Sequence, residues 1–223
     1  MKKLYQLLVL ILFLGPYVNA QTVSDNQLWT GVKLKLKLNK KFSLSLREEF
    51  RFGNNISTHQ NNFTEIGVKY KLNKHFSFVP RFRYAQVPLR GNKKRISFDT
   101  YYTWKQKGKA ISFRYRLRLQ KTNKSYSNKE PSDYLRNKFH VGYNASKLVD
   151  PFFAYELYFR FDQKNEFRRN RYTLGLDWKV NKQLGITTYY RIQNDINVKR
   201  PEKLNIIGLS LSYNMALNKK KYK

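Results

Sequence analysis

A strict two-residue alternation of apolar and basic side chains is the feature that most limits what this chain can fold into. The alternation is clearest in the segment 111–120. A period of two places the two sets of side chains on opposite faces of one β-strand. Such a strand needs an apolar environment on one side and a polar one on the other. The two faces are Ile111, Phe113, Tyr115, Leu117 and Leu119 against Ser112, Arg114, Arg116, Arg118 and Gln120.

The same alternation recurs along most of the chain. We count eleven strands of this kind, most of them about ten residues or longer, whereas a strand in a globular protein averages roughly 5–6 residues. Short Asn-Lys turns, such as Asn39-Lys40, alternate with longer polar loops at 53–61 and 121–133. Long strands with short turns at one end and long loops at the other are typical of outer-membrane barrels. The pattern therefore predicts an all-β fold, an antiparallel up-and-down transmembrane β-barrel of about 10–12 strands.

Three details refine the barrel prediction. Single-chain bacterial barrels usually have an even number of strands, so we expect that the first or last strand is miscounted. Glu48 falls on the apolar face of the second strand, which predicts a β-bulge or a position at the rim. Aromatic residues near strand ends are expected to form a girdle at the membrane interface. These residues are Tyr70, Tyr84, Tyr102, Trp104, Trp178 and Tyr190.

The composition narrows the class of partner. The chain has 45 Lys and Arg against 14 Asp and Glu, a formal net charge of +31. A soluble domain with this charge would usually bind nucleic acid. Here the basic residues alternate singly with Leu, Phe and Tyr, whereas basic tails run as blocks of like charge. The chain also contains no cysteine, so disulfides and cysteine-ligated metal sites are excluded. We expect neither a nucleic-acid partner nor a cofactor.

The first residues have the pattern of an export signal. Lys2 and Lys3 form a charged start, residues 4–14 are an apolar core, and Ala20 is a small residue before a cleavage point. The apolar core is too short to cross about 30 Å of hydrocarbon as a helix. We therefore predict a signal peptide at residues 1–20 and a single barrel domain at 21–223, located in the outer membrane.

A series of short segments, in this order, resembles a family of Gram-negative outer-membrane β-barrels, the domain of unknown function 2490. The resemblance extends over essentially the whole mature chain. It implies a barrel, and it supplies neither an activity nor catalytic residues. The segments are Leu28-Trp29-Thr30-Gly31, Arg47-Glu48-Glu49-Phe50-Arg51-Phe52, Tyr115-Arg116-Leu117-Arg118, Tyr134-Leu135-Arg136-Asn137, Glu156, Arg171-Tyr172-Thr173-Leu174-Gly175 and Tyr190-Arg191.

The polar face of the strands predicts a basic lumen. Charges inside a small barrel must pair, because an unpaired charge away from water is costly. The expected ion-pair partners are Glu49, Asp99, Glu156 and Asp177. Because basic residues outnumber these acids, we expect a partly plugged lumen that binds or passes small anions. The alternative for the same residues is a structural lattice of ion pairs that seals the lumen. The predicted anion-binding residues are Arg114, Arg116, Arg118, Arg136, Arg171 and Arg191.

Two other functions fit the sequence. An outer-membrane lipid-modifying enzyme would need a nucleophile beside a base. Of His59, His75 and His140, only His140 is predicted to point inward, and no Ser-His spacing accompanies it, so no catalytic residue is predicted. A secreted basic β-sandwich that binds acidic glycans would show an identical alternation. Metal binding is not expected, because the carboxylates are sparse and lie among cations.

The basic loop residues are candidates for contact with the membrane surface. Outer-membrane lipid and lipopolysaccharide are the expected partners of a barrel, and lysine or arginine can bind lipopolysaccharide phosphates. The alternative is that these side chains are simply solvated. The oligomeric state does not follow from the pattern. The loop residues in question are Lys121, Lys124, Lys129, Arg168 and Lys199.

Overall fold

The computed structural model describes residues 23–105, 108, 110–126, 131–162 and 165–217. The predicted signal peptide and its cleavage point lie outside these residues. In the described part of the chain no helix is long and apolar enough to cross a membrane. The strands are β1 (Val23–Lys37), β2 (Phe42–Gly53), β3 (Thr58–Lys71), β4 (Phe76–Val87), β5 (Gly91–Lys105), β6 (Ile111–Lys124), β7 (Ser132–Tyr143), β8 (Val149–Arg160), β9 (Glu166–Lys179), β10 (Leu184–Asp195) and β11 (Glu202–Ala216).

The strands close into a barrel through one parallel pair. Each strand from β1 to β10 pairs antiparallel with the next along the chain, and β1 pairs in parallel with β11, with Val23 opposite Glu202 and Lys37 opposite Ala216. A closed sheet leaves no strand edge unpaired. The predicted all-β transmembrane-barrel fold is confirmed, and the β-sandwich alternative is wrong. The expectation of a miscounted strand is also wrong, because a parallel pair closes an odd number of strands.

The faces of the strands lie as the alternation predicts. On β6, Leu119 is 50% exposed on the outer wall, whereas Arg118 is 4% exposed and points into the barrel. Among the described residues, most of the buried side chains are polar or charged. A continuous apolar outer wall is unfavourable in water and suited to lipid. The lumen therefore takes the place of a hydrophobic core, and it must be filled by hydrogen bonds and ion pairs.

The two rims of the barrel differ less than the sequence predicts. We call the rim with connections 38–41, 72–75, 106–110, 144–148 and 180–183 the turn rim. The loop rim has connections 54–57, 88–90, 125–131, 161–165 and 196–201. The predicted polar loop 53–61 is a tight hairpin whose Asn54 and Asn55 have φ of 52° and 54°. The strands have 12 to 15 residues, more than the roughly 9–11 that cross a membrane, so they extend into the predicted loops.

Three connections at the turn rim share one design. Asn39 Oδ1 accepts hydrogen bonds from the backbone N–H of Lys41 at 2.8 Å and of Phe42 at 2.7 Å. Asn73 and Asn181 make the same pair of bonds with the backbone of their own turns. An asparagine side chain that bonds its own backbone stabilises a tight turn. The residue that follows each asparagine is a lysine at the rim: Lys40, Lys74 and Lys182.

Glu48 lies neither at a bulge nor at a rim, so that prediction is wrong. It sits near the middle of β2, opposite Val32 on β1 and Thr64 on β3. The register shift of β2 falls between Arg51 and Phe52. Glu48 is accommodated on the outer wall because the Thr64 hydroxyl donates a hydrogen bond to its carboxylate.

Aromatic side chains of the predicted girdle line the outer wall near the turn rim. Tyr102 packs against Phe76 in a tilted arrangement with ring centroids 5.1 Å apart, and Trp104 packs on Phe113 at 5.6 Å. Tyr190 differs, because it lies in the middle of β10 and its hydroxyl donates to Asn205 on β11. The aromatic girdle is therefore seen most clearly at the turn rim, and Tyr190 is not part of it.

Candidate functional site

Four buried carboxylates organise the inside of the barrel. Each is at most 5% exposed and lies towards the middle of its strand. Each carboxylate meets at least two guanidinium groups, which come from its own strand β2 for Glu49 and from other strands for the remaining three acids. We call this network the central lattice. Its acids are Glu49 on β2, Glu65 on β3, Asp99 on β5 and Glu156 on β8.

Asp99 and Glu65 are joined by a shared arginine. Arg81 donates from Nε to Asp99 Oδ2 at 3.1 Å and from Nη1 to Glu65 Oε1 at 3.2 Å. Arg118 Nη2 donates to Asp99 Oδ2 at 2.7 Å, and Arg83 Nε donates to Glu65 Oε2 at 2.8 Å. Forked guanidinium contacts of this kind are among the stronger hydrogen bonds in proteins. They fix the side chains of three adjacent strands, β3, β4 and β5, together with Arg118 on β6.

Glu156 is the second centre of the lattice. Arg136 Nη2 donates to Glu156 Oε1 at 2.8 Å, and Arg171 Nη1 lies 3.6 Å from Oε2. Arg116 also donates to Oε1, from two strands away. Tyr158 OH donates to Oε2 at 3.4 Å. One carboxylate therefore holds guanidinium groups from β6, β7 and β9.

Several of these arginines pack against aromatic rings that point into the barrel. The Arg83 guanidinium carbon lies 3.5 Å from the ring centroid of Phe63, and that of Arg51 lies 3.7 Å from Trp29. Arg136 lies 4.1 Å from Tyr158. A guanidinium group over an aromatic face gains a cation–π attraction. Arg51 also pairs with Glu49, so the rings and the acids together hold the guanidinium planes in fixed orientations.

The lattice leaves some cations without a carboxylate. Arg191 Nε donates to Thr173 Oγ1 at 2.9 Å, and Arg95 Nε donates to Thr122 Oγ1 at 3.2 Å. These two arginines form no ion pair with any residue that the structure describes, and the same is true of Lys33 and Lys138. All four line a cavity of about 570 Å³ between the lattice and the loop rim. This central cavity is lined by 16 Lys and Arg side chains and 4 carboxylates, so its surplus positive charge is large.

A second cavity of about 850 Å³ opens at the turn rim. We call it the lysine vestibule. It borders the central cavity at Lys33, Arg81 and Tyr101, which line both. Its described lining contains no Asp or Glu. Its basic residues are Lys33, Lys35, Lys37, Lys40, Lys41, Lys69, Lys71, Lys74, Arg81, Arg114 and Lys182.

The predicted anion-binding residues divide between the two cavities. Arg116, Arg118, Arg136, Arg171 and Arg191 line the central cavity, whereas Arg114 lines the lysine vestibule. The three predicted arginines of β6 are thus divided between the cavities, because Arg114 lies nearer the turn rim. Among the predicted acids, Glu49, Asp99 and Glu156 lie in the central lattice.

Asp177 does not take the role that the sequence suggests. It accepts a hydrogen bond from Thr187 Oγ1 at 2.6 Å and faces Asp150 across the β8–β9 pair. No ion pair reaches it within the described ranges of the chain. The reason is its position near the turn-rim end of β9, well away from the arginines of the lattice.

Several residues of the site were missed by sequence reasoning. Trp29, Phe63 and Tyr158 are aromatic residues at lumen-facing positions of their strands, and the sequence pattern gave them no role. The signal was available, because each breaks the polar side of the alternation. Glu65 differs from these, because the alternation does predict it to point inward, and it joins Arg81 and Arg83 in the lattice.

No catalytic arrangement is visible around His140. Its ring stacks on Phe152 with centroids 5.0 Å apart, and it forms no hydrogen bond to a serine in the part of the chain that the structure describes. Of the described residues, none form a cluster of three or more His, Cys, Asp or Glu suited to a metal ion.

Comparison with solved structures shows the same kind of barrel. The NanC porin is 14% identical, with 72% of this chain and 78% of that chain covered and a TM-score of 0.50. A bacterial polysaccharide outer-membrane secretin is 9% identical, with 76% and 63% covered and a TM-score of 0.52. The KdgM porin is 19% identical, with 76% and 83% covered and a TM-score of 0.44. The likenesses to the NanC porin and to the secretin show the fold of an outer-membrane β-barrel.

Comparison at the level of sequence identifies the family. A search of curated proteins finds no match. The family model described as a protein of unknown function, DUF2490, matches residues 26–203. This span runs from β1 into β11 and contains the four acids of the central lattice. The chain therefore belongs to the DUF2490 family of proteins, and its members are expected to share the outer-membrane barrel fold.

Proposed function

We propose that this protein is an integral outer-membrane barrel whose lumen binds and passes small anions. The observation that carries the proposal is the lining of the central cavity, with 16 basic side chains and 4 acids. Surplus charge behind a low-dielectric wall focuses the electric field inside the lumen and attracts ions of opposite sign. Rings of arginine and lysine are the usual means by which pores select anions.

The cations outside the lattice are the groups best placed to meet a solute. Arg191 and Lys138 line the central cavity and have no carboxylate partner among the described residues. Arg116 and Arg118, by contrast, already hold Glu156 and Asp99. Arginine presents planar, paired donors that suit carboxylate or phosphate. In this proposal the lattice holds the lumen open at a fixed width, and the remaining cations make it selective.

A salt gradient across a planar bilayer tests the proposal. The purified protein is expected to give a reversal potential that indicates chloride preference over potassium. Arg191→Gln combined with Lys138→Gln should move the permeability ratio towards one, because both replaced cations line the cavity and hold no acid. Lys203→Gln, on the exposed loop-rim part of β11, is the matched control and should leave the ratio unchanged. A preference for cations would refute the proposal, and an absence of conductance would refute passage.

Export and membrane insertion are part of the same proposal. The pattern of residues 1–20 supports a cleaved signal peptide and a mature chain that begins at Gln21. Intact mass spectrometry of protein from outer-membrane fractions checks this directly. A mass that retains residues 1–20 would contradict cleavage.

Contact with lipopolysaccharide would involve the basic residues of the loops. Lys124 and Arg168 line the central cavity, so they are directed away from the membrane surface. Lys121 is exposed and lies 3.9 Å from Asp133, and Lys199 is exposed at the loop rim. Lys129 lies outside the described residues. Lys121 and Lys199 are therefore the two loop cations best placed to meet lipid phosphates.

A further inference from the structure

We propose that the lysine vestibule is a binding site for a soluble multivalent phosphate, separate from the central cavity. The inference does not rest on the proposed anion passage, because the residues that test it, Lys35, Lys69 and Lys71, line the vestibule and not the central cavity. Its starting point is the composition of the vestibule: nine lysines and two arginines line it, and the described lining includes no carboxylate.

The nearest acids at the turn rim do not neutralise this charge. Asp150 accepts a hydrogen bond from Lys179 Nζ at 2.7 Å, and Asp177 accepts one from Thr187. Neither acid lines the vestibule. A group of like charges at this density is unfavourable unless counterions or a ligand of opposite charge lie among them. A multivalent anion should therefore gain more electrostatic stabilisation in the vestibule than elsewhere in the lumen.

The spacing of the lysines suits a chain of phosphates better than one small ion. Lys69 on β3 lies two strands from β1, with Ser43 of β2 between it and Lys37. Adjacent strands are about 4.8 Å apart, so cations on β1 and β3 are separated by roughly 10 Å. Along one strand, Lys33 and Lys35 are roughly 6–7 Å apart. A small anion can contact only some of these groups at once, whereas a chain of linked phosphates can contact several.

The residue type favours phosphate over carboxylate. Lysine is a compact, strongly hydrated point charge on a flexible stem, and it offers no planar fork. It is a common phosphate ligand in that role. The central lattice uses arginine almost exclusively, whereas nine of the eleven basic residues of the vestibule are lysine. The two cavities therefore differ in the geometry of the anion that they suit.

The turn rim provides an entrance of the same charge. Lys40, Lys74 and Lys182 each follow an asparagine that fixes its turn through two backbone hydrogen bonds. These three lysines also line the vestibule. A rim of positive charge at the mouth of a cavity raises the local concentration of anions and speeds their entry.

The ligand is soluble, because the barrel wall separates the site from lipid. On β1, β2 and β3 the side chains that alternate with the vestibule lining point outward. Leu34, Leu46 and Val68 are 41%, 42% and 37% exposed on the outer wall, and none of the three lines the vestibule. A lipid headgroup on that side would have to cross the wall to reach Lys35 or Lys69. We therefore assign the site to a phosphate that enters from the aqueous phase at the turn rim.

Calorimetric titration of the full-length mature protein in neutral detergent micelles tests the inference, with inorganic tripolyphosphate as the probe. The triple variant Lys35→Gln, Lys69→Gln, Lys71→Gln is expected to bind tripolyphosphate about tenfold more weakly or worse, since it loses three charge-assisted contacts. The control Lys94→Gln, Arg200→Gln, Lys203→Gln removes the same charge from exposed positions outside the vestibule. It should bind within about twofold of the unmodified protein, because distant exposed charges are screened.

Three results would overturn the inference. They are an absence of tripolyphosphate binding, an equal loss in both triple variants, and orthophosphate binding as tight as tripolyphosphate. Different mobility of heated and unheated samples on a gel verifies that each variant forms a closed barrel. Failure here is distinguishable from failure of the proposed function: chloride selectivity depends on Arg191 and Lys138 in the central cavity, and the vestibule variants leave both in place.

Discussion

The central lattice and the lysine vestibule are built from the same alternation on the same strands, yet they treat charge in opposite ways. In the lattice, Asp99 is fully buried and is held by Arg81 and Arg118. In the vestibule, Lys35 and Lys69 have no acid near them within the described lining. The difference teaches that a basic inner face has no single role. Where acids lie among the basic residues, ion pairs connect the strands, and where the described lining has no acid, the lysines face the cavity without a carboxylate partner in that lining.

Access to water explains why both arrangements are tolerated. The lattice acids are almost inaccessible, so each must be neutralised inside the protein. The vestibule opens to solvent at the turn rim, and Lys71 is exposed there. Water and salt ions screen exposed like charges over about 8–10 Å at moderate ionic strength. The same change of charge is therefore expected to have opposite effects on stability in the two regions.

The largest effect is expected from removing an acid of the lattice. Glu156→Gln leaves Arg116, Arg136 and Arg171 without their shared carboxylate. Removing one partner of a buried ionic network costs about 3–5 kcal/mol. Urea unfolding of the refolded protein should show this loss in the free energy of unfolding. Glu202→Gln at the exposed start of β11 is the control and should change little. Equal effects of the two variants would contradict the structural role of the lattice.

The next effect concerns the outer wall behind each region. Leu117 lies outside the barrel at the height of the lattice, and Ile111 lies outside at the turn rim. Arginine on the lipid face costs about 2–4 kcal/mol at the membrane midplane and about 0–1 kcal/mol near the interface. Leu117→Arg should therefore impair insertion into vesicles far more than Ile111→Arg. The reverse order would mean that the lattice is not at mid-membrane.

The smallest effect is expected from removing a charge of the vestibule. Lys69→Gln relieves repulsion among lysines and should raise the free energy of unfolding by about 0.5 kcal/mol in low salt. The gain should vanish at high salt, where exposed charges are screened. Arg118→Gln makes the same change of charge in the lattice and should destabilise the barrel, because Asp99 loses its forked partner. A loss of stability in both variants would contradict the claim that only the charges of the lattice stabilise the barrel.

The faces of the strands could be predicted from sequence because they follow directly from a period of two. Leu119 lies outside and Arg118 inside, as the alternation requires. The closure could not be predicted in this way. The even-number expectation is a statistical regularity of known barrels, and the parallel β1–β11 pair depends on contacts between residues 179 positions apart.

The partners within the lumen could be predicted only in part. Alternation tells which side chains point inward, but the tilt and stagger of the strands decide which of them meet. Arg116 reaches Glu156 across β7, whereas Arg114, two residues away on the same face, lines the other cavity. Asp177 also points inward and is too near the turn rim to join the lattice. The inward aromatic residues received no predicted role, because a basic lumen does not by itself require aromatic side chains.

The parallel seam has a consequence for how the chain can be rearranged and assembled. In an even-stranded barrel the first and last strands are antiparallel, so their free ends lie side by side and a short linker could join them. Here β1 starts at the loop rim and β11 finishes at the turn rim. A circular permutant would need a linker that runs the full height of the barrel wall or passes through the lattice. Domains with adjacent termini tolerate circular permutation, whereas this barrel should not. The seam also has no hairpin to bring its strands together, so we expect it to be the final pair to form.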